Sequence, residues 1–95
     1  MNNEQALEVL NLAYTSGEAI SVLETEDGVK YTGVSLTENP SHEVSDSVER
    51  ISGSDAAGTK IAVDIYYTPN EEVDRLCLRR GYTRSLVGTI SRIVT

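Results

Sequence analysis

Ninety-five residues make one domain with a single modest core, too small for most nucleotide-hydrolysing folds. Phe and Trp are absent, so the core falls to Leu, Ile, Val and Ala, with the five tyrosines as the aromatics. One Cys excludes an internal disulfide, one His and one Cys are too few for an N/S metal site, and a net charge of -7 opposes binding to duplex nucleic acid.

The opening residues, MNNEQALEVL, place no basic segment ahead of an apolar run, and no apolar run approaches a membrane span. These features lead us to expect a cytoplasmic protein with no membrane partner. The same N-terminal stretch reads as a helix. Asn2 or Asn3 is its cap, Gln5 completes a capping box from Asn2, and Gly17 is the stop. Ala6, Leu7, Leu10, Ala13 and Tyr14 fall on one stripe, which suits a helix docked on a sheet.

A hairpin follows, with Asp27-Gly28 as its turn. Ile20 and Val22 alternate with polar residues before the turn. After it, Val29 and Tyr31 share one parity and Val34 and Leu36 the other. The switch falls at Gly33, which predicts a bulge or a close backbone approach there. Residues 38–58 are polar and read as one long loop, with room for a short helix near Val44 to Ile51. The segment TKIAVDIYYT is the clearest strand, with Ile61, Val63, Ile65 and Tyr67 on one face and Lys60, Ala62, Asp64 and Tyr66 on the other.

Residues 69–80 carry helix punctuation: Thr68 as cap, Pro69 in the first turn, Glu71 closing a capping box, arginines at the end and Gly81 as the stop. On that helix Val73, Leu76, Cys77 and Arg80 form the inner stripe, and Cys77 is a small buried residue. The final segment, residues 83–94, is rich in β-branched side chains and reads as a strand. Together these elements predict an α+β fold: a small antiparallel sheet of about four strands, an N-terminal helix and a second helix near 69–80. The alternative is a small SH3-like β-barrel with an N-terminal helix, in which a strand replaces the helix at 69–80. Either way residues 1–95 form a single compact domain.

The stretch GSDAAGTK imitates a phosphate-binding loop. Such a loop requires Lys before Ser or Thr and a helix after them. Here Thr59 precedes Lys60, and a strand follows. It reads as a turn into that strand, with Lys60 belonging to a strand face. His42 lies beside Ser41, Ser45 and Asp46, but sequence neighbours seldom adopt triad geometry. We therefore expect no catalytic residue, no bound metal and no cofactor.

Charge is the informative feature. Residues 1–74 hold all fifteen acids against Lys30, Arg50 and Lys60, a net of -12, while Arg75, Arg79, Arg80, Arg84 and Arg92 give residues 75–95 a net of +5. Arginine presents a planar fork of donors suited to phosphate and carboxylate, and a neighbouring tyrosine can stack on a ring. The pattern points to a non-enzymatic, oligomeric binding protein that holds a small anionic, nucleotide-like ligand on Arg75, Arg79, Tyr82 and Arg84, with His42 on the opposite wall. Two other readings compete. The arginines pair internally with the acids, or the acidic surface is an interaction module that binds a basic protein or mimics nucleic acid.

Overall fold

The computed structural model describes residues 2–39 and 47–95. Helix α1 (Asn3–Ser16) precedes six strands: β1 (Ile20–Thr25), β2 (Lys30–Glu38), β3 (Val48–Ser54), β4 (Lys60–Tyr67), β5 (Val73–Arg80) and β6 (Ser85–Val94). Each strand pairs antiparallel with the next, and β1 pairs with β6, so the sheet closes into a ring. The α+β class holds, with more strands than the sequence suggested.

Local signals at the N-terminal end act as written. Asn2 Oδ1 accepts the Gln5 amide at 2.8 Å while Gln5 Oε1 accepts the Asn2 amide at 3.2 Å, and Gly17 ends the helix at φ 77. Ala6, Leu10 and Ala13 are buried, and Leu7 and Tyr14 pack at their margin. Asn3 Nδ2 donates to the Asp74 carbonyl at 2.8 Å, so the start of the helix covers the main chain of β5. The β1–β2 turn closes through the Thr25 amide on the Val29 carbonyl, with Gly28 at φ 86.

Gly33 marks a corner, as expected. Its φ is 59, and a side chain there would press on Ala56. Across it the buried residues of β2 switch parity from Tyr31 to Val34 and Leu36. β1 makes the same switch, because Leu23 opposes Tyr31 and Ile20 opposes Val34. Ile20 and Leu23 therefore face inward and Val22 is only half-buried, unlike the alternation read from sequence. Inside the ring these residues meet Ile51, Ile61, Val63, Ile65, Leu76, Leu78 and Ile93 in one core cluster.

Two expectations are corrected. Residues 73–80 are strand β5, not a helix, as the alternative reading had it. Leu76 and Leu78 point into the core while Cys77 between them is buried against the outside, opposite Asp64. A helix has no way to bury Leu76 and Leu78 on one side and Cys77 on the other while pairing with β4 along its length. The supposed cap residues are hairpin residues instead: the Thr68 amide donates to the Glu72 carbonyl at 2.7 Å, and the Gly81 amide donates to the Lys60 carbonyl at 2.9 Å. In the second correction, the polar stretch at 38–58 contains β3, so its described part holds a strand where a long loop, with room for a short helix, was expected. The remainder of that helix, from Val44 to Asp46, lies outside the described residues. The final segment is a strand, as expected.

Candidate functional site

The GSDAAGTK segment is a tight β3–β4 hairpin turn. Asp55 Oδ1 accepts the amides of Ala57 and Thr59 at 3.0 and 2.8 Å, and Lys60 opens β4. The Asp55 carboxylate therefore occupies the amides that a phosphate loop would offer its ligand.

The outer face of β3, β4 and β5 is unusually dry for the outside of a small sheet. Ala62, Asp64 and Cys77 are all buried there, with Asp64 only 1% exposed. Arginines cover them. Arg50, directly opposite Asp64 on β3, grips it with two bonds, Nε to Oδ1 at 2.6 Å and Nη2 to Oδ2 at 2.9 Å. Arg79 on β5 adds Nε to Oδ2 at 2.7 Å. Its other nitrogens donate to the Arg84 carbonyl at 2.8 Å and to the Tyr66 hydroxyl at 3.4 Å. The Tyr66 hydroxyl, opposed by desolvation and assisted by Asp64, raises the Arg79 pKa further. Arg75 lies over the Tyr66 ring, 4.6 Å from its centre.

Beyond this network the same face opens into a cleft of ≈ 160 Å³. Small residues make its floor: Ser52, Gly53 and Ala62. Gly53 is obligatory, because a Cβ there would run into the Ser35 carbonyl of β2. Lys60, Tyr82 and Arg84 make one side and Glu38 stands among the lining residues of β2. The Lys60 ammonium lies 5.5 Å from the Tyr82 ring centre, and Tyr82 is 87% exposed.

Arg84 has two unusual properties. Its backbone is left-handed, φ 53, in the turn from Gly81 that leads into β6. Its Nε is buried without a hydrogen-bond partner among the described residues. A buried, charged donor left unpaired costs more than a hydrogen bond returns, so it marks a place where an acceptor belongs.

Tyr82 and Arg84, two of the residues singled out from the sequence, both line the cleft, together with Lys60, which the hairpin register places beside them. Sequence reasoning leaves Lys60 out of the candidate site because it assigns Lys60 to a strand face; it does belong to that face, and the face opens into the cleft. Arg79 stands behind Arg84, and Arg75 lies at the far end of the face on Tyr66. His42 lies outside the described residues. A second, larger cleft of ≈ 480 Å³ at the β4–β5 turn is bordered by Glu49, Tyr67 and Glu71, and among the described residues its lining has no basic side chain. Among the described residues no three His, Cys, Asp or Glu side chains group as metal ligands, and no helix is long and apolar enough to cross a membrane. No protein-family model, characterised protein or solved structure matches this chain.

Proposed function

We propose that this is a non-enzymatic binding protein that takes a small anionic, nucleotide-like ligand in the cleft beside the β5–β6 turn. The observation that carries the reading is Arg84 in the lining of the cleft, with its Nε buried and without a partner among the described residues. An anionic oxygen is the acceptor that group lacks, and Lys60 lines the same cleft with a second positive charge. The cleft suits a phosphate-sized group better than a whole ligand, since sites that engulf a small molecule are typically several-fold larger, about 300–1,000 Å³. The rest of the ligand then lies over the exposed ring of Tyr82, which favours a flat partner. Glu38 accepts hydrogen bonds and repels further negative charge, so a ligand bearing hydroxyls or amines near its anionic group fits better than a bare polyanion. The attraction of Lys60 and Arg84 for the anion weakens with salt, while screening of the protein's net charge of -7 works in the opposite direction.

Calorimetric titration with a panel of nucleotides and cyclic nucleotides, alongside inorganic phosphate and pyrophosphate, tests this reading. Native mass spectrometry of protein purified without denaturation adds the oligomeric state and any retained ligand. Heat with nucleotides that disappears in Lys60→Ala and Arg84→Ala supports the cleft. An absence of heat and of a melting shift across the whole panel overturns it, and weight then passes to the acidic interaction module. That second reading draws on the exposed turn acids Glu26 and Asp27. It expects association with a basic protein to slow when they are neutralised, most visibly at low salt.

A further inference from the structure

We infer that Arg79 is a positioning residue for the cleft: anchored on Asp64, it clamps the main chain at Arg84 and so fixes where the Arg84 side chain stands. The inference rests on the reading that the cleft holds an anion, and it changes the part played by Arg79 from ligand contact to support.

Four observations converge on it. The Arg84 backbone occupies a conformation that side-chain-bearing residues avoid, so something must hold it. The turn's own hydrogen bond, Arg84 amide to Gly81 carbonyl, is long at 3.2 Å, whereas Arg79 Nη1 reaches the Arg84 carbonyl at 2.8 Å. Arg79 is itself immobilised by its Nε bond to a carboxylate that is 1% exposed and already gripped by Arg50. Finally, Nε, Nη1 and Nη2 of Arg79 each have a protein partner, while Nε of Arg84 has none among the described residues. A chain of contacts therefore runs from Arg50 on β3 through Asp64 on β4 and Arg79 on β5 to the turn that enters β6. The fork of Arg79 serves three acceptors at once, Asp64 and the Arg84 carbonyl at the shorter distances. A lysine ammonium at that position is a point charge that serves Asp64 or the Arg84 carbonyl, not both in the same geometry.

The test is Arg79→Lys, read in two ways. In ligand-free protein, amide hydrogen exchange at Arg84 should quicken by about tenfold or more while Ile51 and Val63 in the β3–β4 pair stay protected. Pyrophosphate should bind about tenfold more weakly, the worth of one charge-assisted bond set in place. Unchanged exchange at Arg84 overturns the clamp. If the variant loses protection throughout, a pyrophosphate titration of the wild-type protein followed at the arginine Nε–H resonances decides instead. Movement of the Arg84 signal with a stationary Arg79 signal supports positioning. Equal movement of both means that Arg79 touches the anion and the inference fails. If neither pyrophosphate nor any nucleotide of the panel binds the wild-type protein, the anion reading falls on its own, and the exchange experiment still decides whether Arg79 clamps the turn.

Discussion

Replacing Arg84 by glycine separates a residue kept for binding from one kept for folding. At φ 53 an L-residue carries a cost on the order of 1–2 kcal/mol that glycine does not. Glycine gives back roughly 0.5–1 kcal/mol through the greater freedom of the unfolded chain. Removal of the buried, unpaired Nε relieves a further penalty of about 1–3 kcal/mol, offset by the packing of the lost methylenes. The balance favours Arg84→Gly by about 1 kcal/mol, a rise in Tm of about 4–8 °C for a domain of this size. In the same protein, anion binding should weaken by about ten- to a hundredfold, from the loss of one charge-assisted bond worth about 1.5–3 kcal/mol. Thermal melts and calorimetric titration with pyrophosphate give both numbers. A fall in Tm would show that the Arg84 side chain supports the fold, and an unchanged affinity would remove it from the binding site; either result refutes the reasoning.

Four further outcomes are expected. Gly53→Ala should destabilise by about 3 kcal/mol or more, because the new methyl meets the main chain of β2 and not a movable side chain; chemical denaturation showing less than about 1 kcal/mol would mean that the β2–β3 approach is looser than described. Asp64→Ala should cost about 3–5 kcal/mol by stranding Arg50 and Arg79, and the loss should persist at high salt. By contrast, Glu24→Gln, which affects the pair with the well-exposed Arg92, should cost under about 1 kcal/mol and fade with salt; equal effects of the two substitutions would contradict the burial of Asp64. Desolvation, followed by Glu49, raises the pKa of Tyr67 above its ordinary 10.0, so the folded protein keeps a proton that the unfolded chain releases. That contribution is complete below about pH 10 and disappears as pH rises through the higher folded value, so Tyr67→Phe should flatten the alkaline limb of the stability curve; an identical limb in the variant would count against it.

Much of the fold was legible where the signal is local. The Asn2–Gln5 box, the Asp27–Gly28 turn and the parity switch at Gly33 depend on residues a few positions apart, and each forms as its chemistry dictates. The segment 69–80 misled because Thr68, Pro69, Glu71 and Gly81 suit a hairpin turn as well as a helix end. What decides between the two is the pairing with β4 and β6, which no local pattern records. The outer face of β4 was the other blind spot. The sequence placed Asp64 only on the face opposite Ile61, Val63 and Ile65, with no sign that two arginines from strands on either side bury it. For the same reason the arginine-rich C-terminal region proved divided in its roles. Arg79 is committed to an acid distant in sequence, whereas Arg84 Nε has no partner among the described residues. The order Thr59-Lys60 correctly excluded a phosphate loop, but it gave no hint that the β5–β6 turn brings Tyr82 over Lys60.

Closure of the ring gives the chain a single seam. Of its six strand pairings, five join consecutive strands across short connections, and each forms with little loss of chain entropy. The sixth brings Val22 to Val94 and Glu24 to Arg92, enclosing roughly seventy residues at a loop-closure cost of about 4 kcal/mol. That cost falls on one joint and is met chiefly by Leu23 and Ile93, which enter the core side by side. The meander from β1 to β6 is able to assemble from local contacts, and the pairing of β1 with β6 then converts an open, curled sheet with two bare edges into a closed ring.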